Sequence, residues 1–205
     1  MRPHPPDPMS SGAASLHSEN MTMKRIKPAI LAALVCTSVS LAVPHVSAQT
    51  TGAPSPIDQF SSFVGEGTCS GNVIAMGKRP GHATSARLHG EKILGGNWVV
   101  IQYDEEQTAA NPKPYHVVQY FGYDPRKKQY VAVNFDSSSS GYTTGTSAGW
   151  EGDTITFDET SAMSGMNFHD SFTRSSPKSV THTGTMPDKA KKRVKTDEET
   201  CHMTS

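Results

Sequence analysis

The amino-acid sequence predicts an all-β protein: an antiparallel, up-and-down closed barrel of about ten strands with a short N-terminal capping helix. Three observations support this fold class. Residues 115–158 contain four strand-like runs joined by tight turns, no helical periodicity interrupts them, and similar runs continue on both sides. Because neighbouring strands here need only short turns, the order of elements argues against a parallel sheet with crossover helices.

The central segment establishes the strand pattern. Residues 115–123 and 130–136 are rich in Val, Tyr and Phe, which favour a pleated, half-buried surface. Between them, Asp124 and Pro125 suit the first two positions of a type I turn. Two further runs follow, at 142–150 and 154–158. The segment therefore predicts three consecutive hairpins.

Six more strand-like runs flank this segment, at 68–76, 82–94, 97–104, 167–174, 179–186 and 194–202. Many short strands at regular spacing are typical of a β-sandwich or a β-barrel. A long antiparallel meander commonly closes, because closure removes the exposed edges of its first and last strands. We therefore favour the closed barrel.

A short helix is predicted immediately before the first strand. Ser55 can cap it, Pro56 suits its first position, and Asp58 lies in the first turn, where the helix dipole favours an acidic residue. Its apolar residues share one face: Ile57, Phe60 and Phe63. We expect this face to lie on one end of the sheet.

The first 48 residues are predicted to be a leader that ends in a secretory signal peptide. Basic residues at 24–27 precede a short apolar run, 28–43, and small residues lead up to Ala48, after which cleavage is predicted. Because this signal lies far from residue 1, Met21 or Met23 is the expected start. The protein is thus expected in the periplasm or outside the cell, with residues 49–55 as a linker and 56–205 as the barrel domain.

Charge and hydropathy restrict the expected partners. The chain has 19 Lys and Arg and 19 Asp and Glu, of which residues 1–48 carry four and two, so residues 49–205 carry 15 and 17. This balance gives no electrostatic reason to expect nucleic acid or an anionic membrane surface as a partner. The run 28–43 is too short and too interrupted for a stable membrane span, so no insertion is expected once the signal is removed. The oligomeric state stays open.

Two cysteines remain after the predicted cleavage, Cys69 and Cys201. An even number of cysteines in an oxidising compartment favours a disulfide. Cys69 lies in the first predicted strand and Cys201 in the last, and those two strands are neighbours only if the barrel closes. The predicted Cys69–Cys201 bond is therefore also a prediction of closure.

Three short motifs resemble one family. They are the segments FVGEG at 63–67, KILGGNWV at 92–99, and FGYD at 121–124 followed by QYV at 129–131. In order and spacing they resemble the lipocalin-like domain of unknown function 1579, a family of bacterial secreted or periplasmic proteins, over residues 60–174. The resemblance implies an antiparallel barrel of the calycin kind with a capping helix, and it implies no activity.

Aromatic side chains are the main candidates for a ligand site. The residues expected to line a cavity are Trp98, Tyr103, Tyr120, Phe135, Trp150, Met163 and Phe172. Barrels of eight or more strands can enclose one small ligand, but small barrels are also often filled by their own side chains. Two hypotheses follow: a protein that binds a small, mostly apolar molecule, or a structural or interaction module with a filled barrel.

A third hypothesis is a weak hydrolase that uses Ser147 or His169. Residues 145–149 match the G-x-S-x-G pattern, but that chemistry needs a helix after the serine, and another strand is predicted there. His169 and Asp170 are adjacent and can in principle move a proton. No residue is assigned a catalytic role on this basis. The histidines of residues 49–205 show no zinc-ligand spacing, so neither a metal nor another cofactor is predicted.

Overall fold

A computed structural model describes residues 54–77, 79–138 and 141–204 of the chain. The predicted leader and signal peptide, residues 1–48, and most of the linker lie outside the described residues. Their assignment therefore stays a prediction.

The predicted N-terminal helix is present as a 3₁₀ helix, Pro56–Phe63. Ser55 caps it, since its hydroxyl oxygen accepts a hydrogen bond from the backbone N–H of Ile57 at 3.3 Å. The Asp58 carboxylate in turn accepts from the backbone N–H of Ser55 at 2.9 Å. These two bonds satisfy donors that would otherwise be unpaired at the start of the helix.

Eleven strands follow in the described residues. Their bounds are β1 Gly65–Val73, β2 His82–Ile93, β3 Trp98–Glu105, β4 His116–Asp124, β5 Gln129–Asp136, β6 Tyr142–Ser147, β7 Trp150–Glu151, β8 Thr154–Ser161, β9 Asn167–Ser176, β10 Ser179–Pro187 and β11 Arg193–Met203. Most strands pair antiparallel with their sequence neighbours, β6 pairs with β8, and β1 pairs with β11. Ten strands thus form the predicted closed barrel, and the two-residue β7 extends one edge of β8.

The predicted strand 142–150 is wrong as a single element. It divides into β6 and β7 around Gly149, whose φ of 137° lies in a region that residues with a side chain rarely adopt. The chain bends there, and β8 pairs with β6 on one side of the bend and with β7 on the other.

The first and last strands are joined covalently. Cys69 and Cys201 are directly opposite in the β1–β11 ladder, with Cα atoms 3.9 Å apart, and their side chains form a disulfide. The predicted bond is confirmed, and it links residues 132 positions apart at the seam of the barrel.

An aromatic cluster closes the base of the barrel, the end at which the helix lies. The fully buried Phe60 stacks on Phe121 of β4 with ring centroids 5.1 Å apart and contacts the edge of Trp150 at 5.5 Å. Gly90 of β2 lies close to the backbone carbonyl of Phe63 at the end of the helix, and a Cβ at this position would overlap the carbonyl oxygen. The predicted packing of the apolar helix face on the sheet is confirmed.

No helix within the described residues is both long enough and apolar enough to cross a membrane.

Candidate binding cavity

The barrel encloses a cavity of about 810 Å³ above the aromatic base. This volume falls within the range of small-molecule sites in proteins. Ser62 and Phe63 of the helix contribute to its lower end. The loops that follow β1, β3, β5, β8 and β10 lie at the opposite end of the barrel. Residues from these loops and from the strand ends beside them line the cavity, so the mouth of the cavity is at this end.

The lower part of the cavity is apolar. Its lining comes from the helix and from inward-facing positions of β2, β3 and β9 to β11: Phe63, Leu88, Ile101, Phe172, Val180 and Met203. These side chains also belong to the buried core of the barrel. The cavity is therefore a space left within the hydrophobic core, and an apolar ligand would complete that core.

The upper part is acidic. Of the described residues that line the cavity, six are carboxylic acids: Glu105, Asp136, Glu159, Asp170, Asp197 and Glu199. Three basic residues share the lining: Arg79, Lys113 and His182. Buried charges are costly unless they are paired, so the partners of each carboxylate decide what the cavity can bind.

His182 lies between two aspartates from neighbouring strands. Its Nε2 is 3.3 Å from Asp170 Oδ1, and its Nδ1 is 3.2 Å from Asp197 Oδ2. Burial alone would lower the pKa of His182, but the hydrogen bonds to both aspartates raise it well above its usual value. The imidazole is thus held protonated, and the group of three carries one excess negative charge.

Glu159 is the most deeply buried of these acids, with 3% of its surface exposed. Its Oε2 accepts hydrogen bonds from Asn134 Nδ2 at 2.6 Å and from the Thr143 hydroxyl at 2.7 Å. Burial, followed by the charge of Asp170, raises the pKa of Glu159 to about 7. Among the described residues, neither Oε1 of Glu159 nor Oδ1 of Asn134 has a hydrogen-bond partner.

The other two buried glutamates are paired. Tyr103 donates its hydroxyl to Glu199 at 2.7 Å, and burial together with this carboxylate raises the pKa of Tyr103. Glu105 accepts a hydrogen bond from the backbone N–H of Tyr115 at 2.8 Å and lies 2.9 Å from Nε2 of His82. Within the described residues, Glu159 is therefore the glutamate that has a fully buried oxygen without a hydrogen-bond partner.

Two of the seven residues predicted to line a cavity do so, Tyr103 and Phe172. The structure places the others elsewhere. The ring of Trp98 lies over Gly122 on the outer face, and Trp150 packs at the base beneath Arg174, whose guanidinium is 4.0 Å from the ring centroid.

The three remaining predicted residues face outward or lie in a turn. Tyr120 and Phe135 contact each other edge to face at 6.3 Å on the outside of the barrel, where Phe135 is 50% exposed. Met163 lies in the turn between β8 and β9 and is 72% exposed. Aromatic residues occur on both faces of these strands, and alternation alone does not identify the inner face.

Sequence reasoning missed the polar residues of the cavity. One signal was available, since they are in phase with buried residues on the same strands. Glu159 follows Ile155 and Phe157 at intervals of two, Asp170 precedes Phe172, and Glu199 precedes Cys201. Because side chains alternate between faces, residues two apart share the inner face.

The residues of the hydrolase hypothesis do not come together. Ser147 is buried on the inner face of β6, where its hydroxyl oxygen accepts from the backbone N–H of Gly149 at 3.2 Å, and a strand follows instead of a helix. His169 faces outward from β9 and lies 2.6 Å from the exposed Asp158. Within the described ranges, no group of three or more His, Cys, Asp or Glu side chains is arranged to hold a metal ion.

Together these features define a closed antiparallel β-barrel with an internal cavity that is apolar below and acidic above. Residues 56–196 match the model of the family described as "Protein of unknown function (DUF1579)", and the chain belongs to that family. The resemblance to domain of unknown function 1579 that the three motifs indicated is thereby confirmed.

One solved structure supports the same fold. The crystal structure of Rv2717c from M. tuberculosis matches with a TM-score of 0.57 at 12% identity, over 75% of this chain and 99% of that one. A redesigned β-barrel, b11L5F_LGL, matches with a TM-score of 0.37 at 11% identity, over 71% of this chain and 94% of that one. A search of curated proteins finds no match.

Proposed function

We propose that this protein is an exported barrel that binds one small, mostly apolar molecule inside its cavity. The observation that carries the proposal is the cavity of about 810 Å³ above a closed aromatic base. A barrel with this internal space is not filled by its own side chains, which argues against the alternative of a filled structural module.

The apolar part of the cavity supports a ligand with an apolar body. Burying such a body beside Phe63 and Phe172 removes apolar surface from water, which is worth about 25 cal/mol per Å². The disulfide between Cys69 and Cys201 supports export, because such bonds persist mainly in oxidising compartments.

Native mass spectrometry of protein purified from its own host tests both parts of the proposal. We expect a mass that begins at Gln49, in agreement with cleavage after Ala48, together with a non-covalent adduct of small mass. A bare protein mass under gentle conditions would contradict ligand binding. A chain that retains residues 1–48 would contradict export with cleavage after Ala48.

A matched pair of variants tests whether the adduct occupies the cavity. Val117 faces inward and lines the cavity, whereas Val118, the next residue of β4, faces outward. Val117→Phe reduces the space available and should remove the adduct, and Val118→Phe should retain it. Equal adduct levels in the two variants would place the ligand elsewhere and overturn the proposal.

A further inference from the structure

Two buried oxygen atoms on side chains that line the cavity lack hydrogen-bond partners within the described residues. Oε1 belongs to Glu159 and Oδ1 to Asn134, two side chains that are 3% and 5% exposed and that both line the cavity. When Glu159 is ionised, its carboxylate can accept a hydrogen bond only from the NH₂ group of Asn134, and this fixes the orientation of the amide in that state. Two acceptors are thus left over, and a buried polar group without a partner is costly.

The charges around these acceptors favour a positive ligand group. Asp170 lies on the adjacent strand, diagonal to Glu159, and with His182 and Asp197 it contributes one excess negative charge. Glu199 adds another carboxylate, and its described side-chain partner is the neutral hydroxyl of Tyr103. Arg79 and Lys113 line the same cavity, and neither forms an ion pair among the described residues, although the charge of Arg79 helps to lower the pKa of Asp197. With three cationic groups against six acids, the lining still has an excess of acidic residues.

From this arrangement we propose that the ligand carries a protonated amine, which binds to Glu159 and Asn134 while its apolar body lies on the aromatic base. The inference rests on the proposed function and specifies the chemical class of the ligand. An ammonium group has several donors and no acceptor, so it can satisfy both unpaired oxygens and offset the excess negative charge. A hydroxyl has one donor and no charge, and a ligand carboxylate would be repelled.

Three commercial probes of similar size test this preference directly: 4-phenylbutylamine, 4-phenylbutanol and 4-phenylbutanoate. Their shared phenyl body suits the region of Phe63 and Phe172, and they differ only in the terminal group. Calorimetric titration of ligand-free mature protein at pH 8 should show the amine binding at least tenfold more tightly than the alcohol. The carboxylate should show no measurable binding.

Proton release gives a second measurement that requires no variant. Glu159 faces Asn134 on β5, Thr143 on β6, Asp170 on β9 and His182 on β10. Its pKa of about 7 means that an ammonium group must displace a proton from part of the population at neutral pH. Affinity for the amine should therefore rise about tenfold between pH 6 and pH 8. The heat of binding at pH 7 should also depend on the ionisation enthalpy of the buffer.

A pair of adjacent residues supplies matched variants. Glu159→Gln retains the size of the side chain but removes its charge, and Asp158→Asn makes the same change on the outer face of the same strand. Glu159→Gln should lower amine affinity to that of the alcohol and abolish the pH dependence. Asp158→Asn should leave both unchanged, and circular dichroism of each variant verifies the fold.

The outcomes separate the two proposals. If none of the probes binds, if the alcohol or the carboxylate binds as tightly as the amine, or if Glu159→Gln has no effect, the amine inference is overturned. The proposed function survives each of these results when Val117→Phe still removes an adduct acquired from the host. Loss of both the adduct and probe binding in wild-type protein would overturn the two together.

Discussion

Cys69 of the first strand and Cys201 of the last strand are directly opposite each other, and their disulfide connects the two ends of the β meander. The bond restricts the unfolded chain more than the folded one, because it closes a loop between residues 132 positions apart. Its contribution therefore depends mainly on the size of that loop.

Replacing both cysteines, Cys69→Ala with Cys201→Ala, should lower the free energy of unfolding by roughly 4–5 kcal/mol on the chain-entropy model. Urea denaturation monitored by tryptophan fluorescence measures the loss. Reduced wild-type protein serves as the control and should resemble the double variant. Alkylation of the unreduced, denatured mature protein should label no thiol, and two labelled thiols would contradict the bond.

Phe60 should be the most important side chain of the N-terminal helix for stability. It is fully buried and contacts Phe121, Tyr130 and Trp150. Phe60→Ala should destabilise the protein by about 3–5 kcal/mol, the usual cost of removing a buried phenylalanine. Phe135→Ala, on the outer face, is the control and should cost less than about 1 kcal/mol. Equal losses in chemical denaturation would mean that the helix does not close the barrel.

His182 should stabilise the barrel through its two aspartates. His182→Gln leaves Asp170 and Asp197 without a cationic partner and should lower the free energy of unfolding by about 2–4 kcal/mol. This value is near the lower end of the loss that follows when one partner of a buried ion pair is removed. His116→Gln is the control, because His116 forms an exposed pair with Asp104, which is worth less than about 1 kcal/mol.

The penalty of His182→Gln should also depend on pH in a defined direction. The folded-state pKa of His182 is raised, so its contribution is fully present below the unfolded value of 6.5 and is lost as the pH rises through the folded value. The pKa of Asp197 is lowered, despite burial, by its hydrogen bond to His182, so its contribution is lost as the pH falls below 3.8. The difference in free energy of unfolding between wild type and His182→Gln, measured by chemical denaturation, should therefore be largest between pH 3.8 and 6.5. A difference that stays constant with pH would contradict the pairing of His182 with the two aspartates.

Glu159 should make the ligand-free protein less stable as the pH rises. Its folded-state pKa of about 7 exceeds its ordinary value of 4.5, so the stabilising contribution of Glu159 is fully present below pH 4.5 and is lost as the pH rises through 7. The decrease should be on the order of 3 kcal/mol.

Denaturation of Glu159→Gln across the same pH range isolates this effect, because glutamine imitates the neutral acid. The free energy of unfolding of Glu159→Gln should equal that of wild type near pH 4.5. Near pH 8 it should exceed the wild-type value by the decrease expected for wild type. Asp158→Asn should follow the wild-type curve. If the stability difference between Glu159→Gln and wild type does not change with pH, the raised pKa is wrong.

Local features of this protein were predictable because they depend on neighbouring residues. The cap by Ser55, the apolar face of the helix and most strands follow from spacing and residue type within a few positions. The disulfide needed one further argument, that the meander closes. The break at Gly149 was missed, since a glycine within a strand-like run is compatible with either a continuous strand or a bend.

The sequence by itself determined the fold class, the order of the strands, the capped helix and the pairing of Cys69 with Cys201. Only the tertiary structure decided which face of each strand lies inside. That choice places Phe135 outside and Glu159 inside, although residue type alone favours the reverse. The contact of His182 with Asp170 and Asp197 joins three strands, so it depends on register around the closed barrel. The cavity likewise follows from closure, because a barrel of ten strands is wide enough to separate inward-facing side chains that would meet in a narrower barrel.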